Sequence, residues 1–193
     1  MSQKEQQLLL DLFRESDALL EGHFLLSSGK HSEKYVQCEK LMQYPDRARQ
    51  VVAAVAEQVK NLSIDVIVGP AMGGIRAAYE LGRQLNIRTI FTERVDNVMT
   101  LRRGFDIKEG EKVLIMEDVV TTGKSSLEAI KVIEGLGGTV IGIGCLVDRK
   151  MSAVILPIYS AVELFFETYD QQGCPQCEKG SEAIKPGSRK FSE

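Results

Sequence analysis

The chain has 193 residues, 44% of them hydrophobic and 26% charged, and a formal net charge of −3. That length and balance suit one soluble globular domain with a full core, and they exclude a fibrous or disordered chain. The negative charge leaves no broad basic face for nucleic acid, so a phosphate ligand has to be held locally. No apolar run is long enough to cross a bilayer, and the opening Met1-Ser2-Gln3-Lys4-Glu5 is not of signal-peptide type. Partners in nucleic acid or membrane are therefore not expected, and a reduced, cytoplasmic location is.

Leu8, Leu9, Leu12, Phe13 and Leu19 recur at helical spacing and predict a helix over residues 6–20. Phe24-Leu25-Leu26 reads as a short strand entering the polar turn Ser27-Ser28-Gly29-Lys30-His31-Ser32. Pro45 suits a first helical turn, and Val51, Val52, Val55 and Val59 share a face, which predicts a helix to about Lys60. Val66-Ile67-Val68 predicts a strand stopped by Gly69-Pro70, with a helix over 75–85 after it. Thr89-Ile90-Phe91 is the next strand, and residues 92–104 form a long polar loop suited to a lid. Val113-Leu114-Ile115-Met116, a helix over 125–136 and a strand from Val140 to Val147 complete the alternation. Apolar strands without period-2 alternation are covered on both faces, so the expected fold class is α/β with a mainly parallel, doubly wound sheet. Residues 1–193 read as a single domain, with a Gly-, Pro- and Ser-rich irregular tail over 170–193.

In such sheets ligands sit beyond the carboxyl ends of the strands. The most informative segment there is Met116-Glu117-Asp118-Val119-Val120-Thr121-Thr122-Gly123-Lys124-Ser125. Two acids end a buried strand, and a hydroxyl- and Gly-containing turn then opens a helix, whose free N–H groups and positive dipole end attract a phosphate. A nucleoside-triphosphate loop would need Gly where Asp118 stands, so that reading fails. Carboxylates can grip a vicinal diol while the loop holds a phosphate, and diol plus phosphate describes a ribose 5-phosphate. A plain strand-to-helix turn with a Ser or Thr cap is the bland alternative.

This segment resembles the phosphoribosyl pyrophosphate (PRPP) signature of type I phosphoribosyltransferases. The resemblance implies ribose contacts from Glu117 and Asp118 and a 5′-phosphate loop over Thr121, Thr122, Gly123, Lys124 and Ser125, with Val119 and Val120 leading into it. Leu146-Val147-Asp148-Arg149 supplies a guanidinium at the same sheet edge, where a base bearing a carboxylate needs one. Along nearly its whole length the chain is similar to the orotate phosphoribosyltransferase family, which places Arg149, with Thr121, at the orotate. The resemblance makes the segment around residues 24–32 a small N-terminal hood, part of residues 1–40, and makes Gly73 and Gly74 part of a pyrophosphate loop. It also implies the transfer of phosphoribose to orotate in pyrimidine synthesis, and a homodimer whose mobile loop is shared between subunits. The ending Lys185-Pro186-Gly187-Ser188-Arg189 looks like one branch of that family. Unlike many relatives, the chain has Glu93-Arg94-Val95-Asp96-Asn97 in the loop and Met72 before Gly73, so family lysine roles do not transfer. Arg102 and Arg103 are the candidates to supply that charge during catalysis. A transferase for a neutral base, or a PRPP-sensing regulator, are the alternatives.

Expulsion of pyrophosphate calls for Mg²⁺, held mainly by PRPP and water, so no protein metal cage is expected. Cys174-Pro175-Gln176-Cys177 gives only two zinc ligands, and Cys38, Cys145, His23 and His31 have no spacing that marks a second half-site. The expectation from sequence is therefore no protein-bound metal.

Overall fold

A computed structural model describes residues 3–26 and 28–186. Helix α1 (Gln3–Glu15) leads to the antiparallel strands β1 (Leu19–Leu25) and β2 (His31–Val36). Next come the short α2 (Cys38–Met42) and α3 (Pro45–Val59), whose Val51, Val52, Val55 and Val59 are all fully buried. A repeating strand-and-helix unit follows: β3 (Val66–Pro70), α4 (Gly73–Leu85), β4 (Arg88–Val95), β5 (Val98–Leu101), β6 (Lys112–Val120), α5 (Lys124–Gly135) and β7 (Thr139–Asp148). After β8 (Ile158–Glu163) come the two-residue β9 (Thr168–Tyr169) and the one-turn α6 (Pro175–Glu178).

The main sheet has the order β5-β4-β3-β6-β7-β8, parallel throughout except where β5 turns back on β4. Chain order reverses between β3 and β6, and in a doubly wound sheet that reversal opens a crevice above the two strand ends. The fully buried centres of β3, β6 and β7 separate two apolar layers. One layer packs under α1, α3 and α4, with Phe13, Leu41 and Leu81 among its members, and the other packs under α5 around Ile115, Ile133 and Ile143. A separate three-stranded sheet, β1-β2-β9, joins the N-terminal hairpin to the tail, and Phe24 makes a further bridge to Ile184. No helix among the described residues is long and apolar enough to cross a membrane.

Several expected boundaries are corrected. Helix α1 stops at Glu15, because Asp17 adopts a left-handed φ of 51° and the Ser16 hydroxyl donates back to the Leu12 carbonyl at 2.7 Å. Leu19, expected on the helix, therefore opens β1 instead. The polar loop over 92–104 is in good part a hairpin: Asp96 and Asn97, with φ of 49° and 64°, form a two-residue turn between the paired Val95 and Val98. Strand β6 runs on to Val120, so the acidic pair, expected to end the strand, is followed by two more strand residues before the turn. Gly187, Ser188 and Arg189 of the expected tail motif lie outside the described residues.

Candidate functional site

Glu117 and Asp118 are consecutive on β6, and side chains one residue apart on a strand leave it on opposite faces. Glu117 lines a recess of about 70 Å³ with residues 119–126, while Asp118 lines another of about 80 Å³ with Cys38, Met72, Gly73 and Arg76. The pair thus straddles the strand end at the crevice between β3 and β6. Two wider grooves, of about 400 and 410 Å³, contain neither acid and no part of the turn.

Each recess ends on a helix start. Gly123 caps α5 with φ +77°, and a Cβ there would lie 2.5 Å from the Ser152 hydroxyl, so glycine alone permits this turn. The first N–H groups of α5, on Lys124, Ser125 and Ser126, have no partner within the helix, an arrangement that suits an anion. On the other side, Gly73 and Gly74 are the first two residues of α4, which leaves their N–H groups equally free of helical partners. A Cβ on Gly73 would sit 2.1 Å from an Asp118 carboxylate oxygen, so the carboxylate rests directly on this helix start. The Ala71–Met72 peptide is cis, and the Ala71 N–H donates to the Thr92 carbonyl at 2.7 Å.

The acids are costly to ionise where they stand. Burial, followed by the negative charge of Asp118, pushes the Glu117 carboxyl from 4.5 up to about 8, against a partial offset from the Ser126 hydroxyl, which donates to it at 3.0 Å. Burial also raises Asp118, opposed by the Val119 N–H, which donates to its carboxylate at 2.8 Å. Arg94, on the carboxyl half of β4, is the cation that favours ionised Glu117. Its guanidinium bonds the Glu128 carboxylate at 2.6 Å and the Ser125 hydroxyl at 3.2 Å, so it stands at the α5 start.

Arg149 follows β7 and its side chain is buried. It donates from Nε to the Leu164 carbonyl at 3.1 Å and from Nη2 to the Phe166 carbonyl at 3.0 Å, with the guanidinium stacked on the Phe166 ring. Asp148, which is buried, and the exposed Glu163 are both taken by Lys150. Among the described residues Arg149 has no carboxylate within ion-pair distance, and burial lowers its pKa to about 10, which leaves it cationic at neutral pH. Its own N–H bonds the Val120 carbonyl at 2.9 Å, and Ala153 N–H bonds the Thr122 carbonyl at 3.3 Å, tying this segment to the phosphate-type turn.

The expected residues at 117–125, with Gly73 and Gly74, therefore gather at one crevice, with Arg149 joined to its edge through the backbone. Arg103 is placed differently: it is exposed, held by Glu93 through two bonds of 3.0 Å and set over the Phe91 ring. Arg102 is also exposed, on the same hairpin. Sequence reasoning missed Arg94, Arg76 and Cys38, whose thiol approaches the Asp118 carbonyl at 3.6 Å. For Arg94, its position at the carboxyl end of a core strand was an available signal. Arg76 and Cys38 reach the crevice only through folding. Spacing in sequence marks no second half-site for Cys174 and Cys177, but the fold brings His23 and His31 beside them. They come from strands far away in sequence, which spacing could not reveal.

The phosphoribosyl transferase domain family model matches residues 39–174. An orotate phosphoribosyltransferase from Caldanaerobacter subterraneus subsp. tengcongensis is 49% identical over 189 residues, covering 97% of this chain and 100% of the relative. A solved Leishmania donovani UMP synthase superposes with a TM-score of 0.71 at 27% identity over 81% of this chain, which spans 36% of that longer protein. Orotate phosphoribosyltransferase from Aeropyrum pernix superposes with a TM-score of 0.70 at 25% identity, covering 81% of this chain and 93% of that one.

Proposed function

The chain belongs to the phosphoribosyl transferase domain family and, within it, to the orotate phosphoribosyltransferases, and from that premise we propose that the crevice between β3 and β6 is its PRPP site. The reaction joins a ring nitrogen of orotate to C1 of the ribose of PRPP and releases pyrophosphate, as a step of pyrimidine nucleotide synthesis. The observation that carries the site assignment is the acidic pair standing between two helix starts, each opening a small recess.

In this reading the start of α5 receives the 5′-phosphate, through main-chain N–H groups and the hydroxyls of Thr121, Thr122 and Ser125. Glu117 and Asp118 accept from the ribose hydroxyls at the end of the strand. The N–H groups of Gly73 and Gly74 face the departing pyrophosphate, where fixed donors act on charge that grows in the transition state. Arg149, cationic and without a carboxylate partner among the described residues, takes the carboxylate of orotate. Its bonds to Leu164 and Phe166 use Nε and one Nη2 hydrogen, leaving both hydrogens of Nη1 and one of Nη2 to donate. The hairpin of β4 and β5, carrying Arg102 and Arg103, is the segment that would close over the pyrophosphate.

The carboxylate oxygens of Glu117 and Asp118 at the strand end are hard ligands that fit Mg²⁺, which takes few protein ligands and keeps its waters, while the main-chain N–H groups beside them serve the phosphate oxygens. Bound with PRPP, the ion would supply neutralisation of charge on the leaving group. Assembly as a homodimer that shares the hairpin between subunits, and a cytoplasmic location, belong to the same proposal.

The test is incubation with orotate, PRPP and Mg²⁺, following loss of orotate absorbance, with uracil and hypoxanthine as competing bases. Turnover of orotate alone is expected. Turnover of uracil or hypoxanthine at a comparable rate would overturn the role given to Arg149.

A further inference from the structure

Away from the crevice, four side chains from three segments converge on one point. His23 comes from β1, His31 from the start of β2, and Cys174 and Cys177 from the turn of α6. One ligand atom from each lies within 4.8 Å of all the others. His23 Nε2 is 2.8 Å from His31 Nδ1, 3.4 Å from Cys174 Sγ and 3.8 Å from Cys177 Sγ, while Cys177 Sγ is 3.3 Å from His31 Nδ1. A tetrahedral ion with metal–sulfur bonds of about 2.3 Å and metal–nitrogen bonds of about 2.0–2.1 Å sets its ligands about 3.3–3.8 Å apart. Three of the four sulfur–nitrogen distances already meet that requirement; the two imidazoles would have to part by about half an ångström, and the remaining pairs, all within 4.8 Å, need close by no more than about 1 Å.

The hydrogen bonding outside the cluster fixes which atoms face inward. His23 Nδ1 lies 3.1 Å from the Ser181 carbonyl. A carbonyl oxygen only accepts, so Nδ1 carries the proton and Nε2 turns its lone pair toward the cluster, as a metal-bound imidazole does when its second nitrogen is held by the backbone. His23, His31 and Cys174 are buried, and all four cysteines are free thiols. The two imidazoles can share one hydrogen bond at 2.8 Å, but the two thiols that close the cluster make poor partners, because S–H is a weak donor and sulfur a weak acceptor.

We propose that His23, His31, Cys174 and Cys177 form a structural zinc site. Two soft sulfurs and two imidazoles in tetrahedral array select zinc among common cellular ions. With all four positions filled by protein the site is closed, which suits fastening rather than catalysis. What it fastens is visible in the backbone. Leu25 N–H bonds the Ile184 carbonyl at 2.9 Å, Ile184 N–H bonds the His23 carbonyl at 2.8 Å, and β9 pairs with β2. The ion would lock this small sheet to the tail across a separation of 151 residues between His23 and Cys174. Phe166, whose carbonyl receives Arg149, lies two residues before β9 and so leads directly into the segment held this way.

Metal analysis of the full chain, purified with thiol reductant and without chelator or a metal-affinity step, tests this directly. One zinc per chain is expected, and replacement by Co²⁺ should give the visible absorption of a tetrahedral ion with thiolate-to-cobalt charge transfer. Cys177→Ser should lose the metal and lower Tm by roughly 10 °C. His31→Cys, which exchanges one zinc ligand for another, should keep it and guards against a variant that merely fails to fold. Wild-type protein with only traces of zinc that gives no tetrahedral cobalt spectrum overturns the proposal. So does a Cys174–Cys177 disulfide found by mass in the freshly purified protein, or a Cys177→Ser variant that retains stoichiometric zinc.

Discussion

Replacing Glu117 by Gln should stabilise the ligand-free protein at alkaline pH while impairing it as an enzyme. Burial holds this carboxyl at about 8 against an ordinary 4.5. The folded chain therefore keeps a proton that the unfolded chain releases. Between those two values the folded state binds more protons, so wild-type stability is full below pH 4.5, falls as the pH rises and is level above about 8. A span of about 3.5 pH units at about 1.4 kcal/mol each sets an upper bound of about 5 kcal/mol. Water entering the adjoining recess lowers the penalty, leaving roughly 2–5 kcal/mol. Glutamine keeps the shape and the acceptor for the Ser126 hydroxyl without the charge. For a chain of this size the gain in Tm is roughly 5–15 °C at about pH 9, shrinking to little at about pH 5. Thermal melts of both proteins across that range, without ligand, Mg²⁺ or chelator, measure it. Turnover should fall by roughly 10–100-fold, through loss of a charged acceptor for the ribose. If the two melting curves run parallel at every pH, Glu117 is ionised without penalty and the reasoning fails.

Three further perturbations separate the parts of the site. Gly73→Ala puts a Cβ 2.1 Å from an Asp118 oxygen and 2.3 Å from its Cγ; the whole Asp118 side chain has to swing aside, and stability should fall by about 1–3 kcal/mol. Activity should nevertheless drop sharply, and wild-type turnover would show that the carboxylate position is immaterial. Arg149→Ala should raise the KM for orotate roughly 10–100-fold while leaving that for PRPP nearly unchanged, since a charge-assisted contact is lost at the base alone; equal effects on both substrates would assign Arg149 to holding Leu164 and Phe166 only. Arg102→Ala and Arg103→Ala, made separately, should include one variant whose kcat falls roughly 10²–10³-fold, whereas wild-type kcat in both would remove the lid-cation role. Arg103 is now held by Glu93 in an exposed pair, and such pairs contribute little, so Glu93→Gln should leave the fold intact and not lower kcat.

What could be read from sequence follows from how local each feature is. The strands containing Val66-Ile67-Val68 and Val113-Leu114-Ile115-Met116 are apolar because both faces are covered, and that pattern survives in a single sequence. Strand β8, Ile-Tyr-Ser-Ala-Val-Glu, mixes polarities because it lies at the sheet edge, and it gave no comparable signal. The β4–β5 hairpin did carry one, Asp96-Asn97 between β-branched residues, but the surrounding charges masked it. Glu117, Asp118 and the turn after them were legible because one continuous segment supplies them. The His23–His31–Cys174–Cys177 cluster was not, since its ligands meet only after β1, β2 and the tail have come together.

The same distinction explains why the acids sit where folding alone disfavours them. On a strand that runs fully buried from Val113 to Met116, the next two positions would stabilise the fold best as apolar residues. Carboxylates there have raised pKa values and meet only partial compensation from Ser126, Val119 and Arg94. That cost makes sense if ligand binding removes it. Ribose hydroxyls would donate to the acids, and a cation travelling with the pyrophosphate would favour their charged forms, so affinity would come partly from relief of a penalty already built into the free protein. Because Glu117 and Asp118 leave the strand on opposite faces, the sugar would bridge the strand end, its phosphate toward α5 and its pyrophosphate toward α4. The reacting carbon would then lie between two helix starts whose positive ends both favour negative charge. On this account PRPP with Mg²⁺ should raise the Tm of wild-type protein more at about pH 9 than at about pH 5, where the Glu117 carboxyl is already neutral. In Glu117→Gln that extra stabilisation at high pH should shrink, and an equal ligand-induced rise at both pH values in wild type would show that binding does not draw on the buried charges.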